Sequence, residues 1–122
     1  AKNIRVKMLS TFKGIGPKTA EKIVNNIDFY KLFLRNSKDH ISNMNGLTVT
    51  SNVANQLSLY EQYSIPVLMC IPNVQNFIAC NIAEKHSLTS IASKESSLED
   101  LEKINGVNKK IAKNIYAVMF DE

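Results

Sequence analysis

One pattern of apolar positions recurs along the chain. An apolar residue stands five places before a Gly or Asn, another two before it, and a third directly after it. An Ala follows six places beyond that Gly or Asn, and a last apolar residue three further on. Leu9, Phe12, Gly14, Ile15, Ala20 and Ile23 make the first copy. Leu68, Ile71, Asn73, Val74, Ala79 and Ile82 make the third, and Leu101, Ile104, Gly106, Val107, Ala112 and Ile115 the fourth. The second runs Ile41, Met44, Gly46, Leu47, Ala54 and Leu57, with a two-residue insertion between its Gly and its Ala. The spacing predicts a short helix, a tight turn at positive φ, an apolar plug and a second helix. The small Ala lets the two helices approach closely. Gly16 and Pro17 mark the start of the second helix in copy one, Pro being tolerated in a first turn.

Further helical stretches lie between the paired copies, over 27–34 and 87–92. The segment 97–104 opens with an N-cap at Ser96 or Ser97 and acids in its first turn. The expected fold is all-α, with four hairpins in two pseudo-symmetric pairs, about 4–60 and 65–120. The domain boundaries are 1–64 and 65–122, with Pro66 breaking the helix at the join Ser64-Ile65-Pro66. A lone helix pair cannot bury its apolar face, so the hairpins should pack around Phe29, Phe33, Leu57, Ile78, Leu88 and Ile91.

Charge adds direction. The 122 residues carry a net +4, unevenly spread. Residues 1–60 hold nine Lys and Arg against three acids, and residues 61–122 hold six Lys against eight acids. A polyanion is therefore expected on the first half. No apolar run approaches the ~18–20 residues of a membrane span. The chain begins Ala-Lys-Asn rather than Met, as a fragment or trimmed chain would, and its first residues hold no apolar signal core. Cys70 and Cys80 cannot build a disulfide framework or a four-thiolate zinc site, which fits a reducing compartment. Both read as small core residues, and His40 and His86 as surface positions in linkers. The Phe and Tyr residues fall at helical spacing and read mostly as core. Glu95, Glu99, Asp100 and Glu102 surround a helix start, where acids complement the macrodipole, and read as a solvated helix N-terminus rather than a metal site. No cofactor is expected.

The stretch Phe12-Lys-Gly-Ile-Gly-Pro-Lys-Thr-Ala-Glu-Lys-Ile23 closely resembles the helix-hairpin-helix motif of DNA-binding proteins. Ile104-Asn-Gly-Val-Asn-Lys-Lys-Ile-Ala-Lys-Asn-Ile115 resembles it in a worn form. The likeness extends over nearly the whole chain, as tandem repeats similar to those of RuvA-like, XPF-family and NAD-dependent DNA ligase domains. It implies a hairpin whose backbone amides contact DNA phosphates without reading bases. Matched residue by residue, it implies DNA contact at Lys13, Gly14, Ile15, Gly16, Lys18, Thr19 and Lys22. In copy four it implies contact at Gly106, Asn108, Lys109, Lys110 and Lys113, with Asn108 standing where a second glycine belongs and tolerating φ > 0. A solvated helix face remains the other reading of those three lysines. Copies two and three lack the second glycine (Thr48, Gln75) and lack cations, and are assigned to packing or a protein partner.

The chemistry agrees with the resemblance. Helix N-termini present unsatisfied N–H groups, glycines let a backbone approach a phosphate, and lysines release counterions. The expected function is a non-catalytic, sequence-independent DNA-binding module for duplex, bent or branched DNA in repair, recombination or replication. The expected location is nuclear or otherwise DNA-associated. The alternative is a protein-interaction scaffold that heterodimerises through the degenerate hairpins. An enzyme is not expected: no nucleophile–base couple or paired carboxylates emerge, and 122 residues cannot enclose a flipped base beside Asp28.

Overall fold

The apolar repeat positions are what the fold buries. The computed structural model describes residues 1–42, 44 and 49–121. In copies one, three and four every apolar repeat residue is buried, and Ala20, Ala79 and Ala112 have no accessible surface. Among the described residues every regular element is helical. The first hairpin joins α1 (Lys2–Ser10) to α2 (Pro17–Asn26). A 3-10 helix, Phe29–Phe33, leads to α3 (Ser37–Ser42) and α4 (Ser51–Ser58). A second 3-10 helix, Tyr60–Tyr63, runs into α5 (Ser64–Leu68), which pairs with α6 (Asn76–Lys85). Then come α7 (Leu88–Ala92), α8 (Leu98–Glu102) and α9 (Lys109–Phe120), α8 pairing with α9. Helices of five to twelve residues are marginal alone, so packing holds them. Each fully buried Ile or Leu contributes roughly 1.5–3 kcal/mol.

The two pairs share one core. The Phe29–Phe33 helix packs on α3, α7 and α9, α7 packs on α9 and on the Tyr60–Tyr63 helix, and α1 packs on α5. Phe33 meets Phe29 and Tyr60 edge-on, at 5.2 and 5.9 Å between ring centroids. The Tyr60 hydroxyl is hydrogen-bonded to Thr89 Oγ1 at 2.7 Å. The six expected packing residues, from Phe29 to Ile91, are all buried in this cluster. Arg5 ties the chain's ends together. Its Nε donates to Val118 O at 2.8 Å, Nη2 donates to Asp121 O, and the guanidinium lies over the Phe29 ring. These carbonyls end α9, where backbone acceptors lack helical partners. Burial lowers the Arg5 pKa, against the opposing pull of Asp121 and Asp28. One of the basic residues counted toward a polyanion site is therefore structural.

Several expectations need correction. Pro66 does not break a helix: it lies in the first turn of α5, where an N–H would have no helical acceptor. The 27–34 stretch forms a 3-10 helix from Phe29 onward. Ser97, not Ser96, caps α8, and Asp100 completes a reciprocal capping box with it. Ser96 is buried and hydrogen-bonded to Ser90 Oγ and to His86 Nδ1, so His86 is a network member rather than a free surface group. Cys70 and Cys80 are half-buried, Cys70 packing against the core's edge, and burial pushes the Cys70 thiol up against the opposing effect of Lys7. In copy two Ile41, Met44 and Leu57 are buried, while Gly46, Leu47 and Thr48 lie outside the described residues.

Candidate nucleic-acid interface

Hairpin one is an open bend on a buried anchor. The Ile15 amide donates to Phe12 O at 3.1 Å, and Gly14 takes φ +79°, a left-handed value that favours glycine. Ile15 itself is buried, so it anchors the bend and its side chain faces away from any ligand. Lys13, Gly14, Gly16, Lys18 and Lys22 are exposed, and Thr19 is half-buried. Gly16 caps α2 with φ −91° and ψ 176°, an extended conformation that any residue adopts. A Cβ at Gly14 or at Gly16 would meet nothing within 4 Å. Among the described residues, the amides of Gly14, Gly16, Lys18 and Thr19 have no acceptor. No described carboxylate lies within ion-pair distance of Lys13, Lys18 or Lys22. Unpartnered amides, the positive end of α2 and exposed ammonium groups thus converge on one bare surface.

Tyr63 braces this bend from another element. Its ring stacks on Phe12 at 4.3 Å and 21°. Its hydroxyl accepts the Lys13 amide at 3.2 Å and donates to Gln56 Oε1. No local signal marks Tyr63 as a partner of Lys13, because the two meet only through packing of distant segments.

Hairpins three and four repeat the backbone and change the surface. Asn73 at φ +69° and Gly106 at φ +93° take the place of Gly14, and the amides of Val74 and Val107 close the same turn. Gln75 and Asn108 cap α6 and α9 with the extended φ and ψ of Gly16. Asn108 therefore holds no left-handed turn, contrary to the sequence expectation: its side chain accepts the Ile111 amide at 2.9 Å. The equivalent amide of hairpin one, on Thr19, is free. Gly106 is also not open. A Cβ there would come within 2.9 Å of Ile78 Cγ1 and 3.3 Å of Phe77 Cε2, and Asn105 O accepts from the Asn81 side chain. Hairpin four is thus docked on α6, while Lys109, Lys110 and Lys113 point to solvent without an ion pair among the described residues. The aromatic expectation fails at Phe77, which is 55% exposed. The repeat register holds the missed signal: Phe77 occupies the position of Lys18 and Lys110, outside the buried stripe.

Among the described residues, no three His, Cys, Asp or Glu side chains gather where they could hold a metal ion. None of the described helices is long and apolar enough to cross a membrane. Neither a curated protein nor a solved structure matches the chain. A family model described as a SAM-like helix-hairpin-helix tandem matches residues 6–50 and again 68–118. The first match runs from α1 to just before α4 and the second from the last residue of α5 into α9, so each falls within one of the two hairpin pairs, and domains of this kind are generally nucleic-acid binding. By these two matches and by its all-helical, twice-paired fold, the chain belongs to the SAM-like helix-hairpin-helix tandem family.

Proposed function

We propose that this chain is a non-catalytic DNA-binding module whose first hairpin holds the phosphate backbone without reading bases. The first pair, 1–64, supplies the main grip. The second, 65–122, adds the exposed charge of Lys109, Lys110 and Lys113. One observation carries the reading. Gly16 has an ordinary backbone conformation and empty space where a side chain would sit, so nothing inside the molecule calls for glycine there. A bare backbone beside unpartnered amides and unpaired lysines suits a ligand that comes close and is anionic. Amides and ammonium groups recognise phosphate oxygens and carry no base code. Two hairpin pairs on one shared core fit duplex, bent or branched DNA, and repair, recombination or replication inside the nucleus or another DNA-containing compartment.

The test is the double variant Lys18→Glu with Lys22→Glu, measured across a salt series. Binding should weaken uniformly over unrelated duplex sequences. The slope of log affinity against log salt should fall by about 1–2, near 0.9 for each phosphate no longer neutralised. The helical circular dichroism should stay intact, because both residues are exposed. Unchanged affinity at low salt would remove hairpin one as the site.

A further inference from the structure

We propose that Phe77 is a base-stacking residue, which makes DNA with unpaired bases beside a duplex the preferred ligand. This rests on the DNA-binding reading above. Phe77 is the most exposed of the large hydrophobic side chains among the described residues, at 55% against 44% for Met69 and 39% for Leu59. It stands two places after the α6 cap, where hairpins one and four carry Lys18 and Lys110. The same backbone thus presents an aromatic ring where the other two hairpins present a cation.

The ring is held without being covered. Its edge rests beside the bare Cα of Gly106, where a Cβ would come within 3.3 Å of Cε2, and more than half of the side chain stays in water. Three and four residues beyond Gly106 stand Lys109 and Lys110, both exposed. The exposed carboxamides of Gln75 and Asn76 adjoin Phe77 in sequence, and neither 71–78 nor 104–113 contains an acid. An exposed aromatic face whose neighbouring turn segments, 71–78 and 104–113, carry lysines and no acid has the chemistry of a single-strand stacking platform.

A phenylalanine of ~200 Å² that is half exposed offers on the order of 100 Å², about one ring face, which is what one unpaired base covers.

The experiment uses the full chain with a blunt duplex and the same duplex bearing a single-stranded overhang, at one low salt concentration. Phe77→Ala should lose about tenfold in affinity for the overhang and leave the blunt duplex unchanged. The chain has no tryptophan, so Phe77→Trp introduces a single reporter. It should keep the overhang preference, and its fluorescence should be quenched by the overhang and not by the blunt duplex. Lys18→Glu with Lys22→Glu should weaken both DNAs alike. If the parent chain binds both and Phe77→Ala keeps the parent's overhang-to-duplex ratio, the stacking proposal falls while backbone binding stands. If the parent binds neither, both fall. If Phe77→Ala instead turns a dimer into a monomer without DNA, the ring is a protein contact and the proposal is overturned.

Discussion

The Tyr63 hydroxyl accepts the backbone N–H of Lys13 at 3.2 Å, so the first hairpin is braced by a residue from the far end of its own pair. That hydroxyl also donates to Gln56, while its ring stacks on Phe12. Removing the hydroxyl alone keeps the stack and leaves the Lys13 amide without its partner. Tyr63→Phe should therefore cost about 1 kcal/mol in urea unfolding. Amide exchange should speed up at Lys13 more than at Ile15, whose N–H is held within the turn.

Gly14, Gly16 and Gly106 should separate fold from binding. Gly14 sits at φ +79° in open space, so Gly14→Ala incurs only the left-handed penalty of about 1–2 kcal/mol. Gly106→Ala adds to that penalty a 2.9 Å approach to Ile78 Cγ1 and should be the most destabilising of the three. Gly16 needs no special φ, and asparagine at the equivalent position 108 caps its own helix. Gly16→Asn should therefore hold stability to within a few tenths of a kcal/mol. It should nonetheless weaken DNA binding several-fold, because the new side chain occupies the Thr19 amide. Thermal melts alongside anisotropy titrations read both effects. A Gly16→Asn chain that melts normally and binds DNA as before would show that the amides are not the grip.

Asp100 links the α8 cap to pH. The Ser97 backbone N–H, and then the Ser97 side chain, hold its carboxyl below the ordinary aspartate value. A carboxylate with a depressed folded pKa contributes stability that is fully present above the unfolded value and lost as pH falls through the lower folded one. Asp100→Asn should therefore lower the urea midpoint at neutral pH. The gap from the parent should close on acidification below about 4. A gap that stays constant into acid would mean that the carboxylate charge contributes nothing to the cap.

Much of the architecture is legible in the apolar spacing. Leu9, Phe12, Ala20 and Ile23, with their counterparts in copies three and four, are buried where the repeat puts them. Even Asn73, the one non-glycine at the first turn position, is left-handed. Positive φ is a local demand of a tight turn, and it recurs wherever the helix–turn–helix spacing recurs. The second glycine is less legible. A glycine letter does not reveal whether the backbone requires it, as at Gly14, or whether the space outside does, as at Gly16. Pro66 misleads for a related reason: the cost of a proline depends on how far into the helix it lies.

The sequence by itself determined the all-helical class, the paired hairpins, the buried stripe and the basic first bend, because each follows from helical periodicity or from local turn chemistry. Only the tertiary structure decided that Tyr63 braces Lys13, that Arg5 closes onto the end of α9, that Gly106 is docked on α6 and that Phe77 stays in water. Each of these depends on how separate helices settle against one another. Side-chain volumes at remote positions set that arrangement, and no periodicity within one segment encodes it.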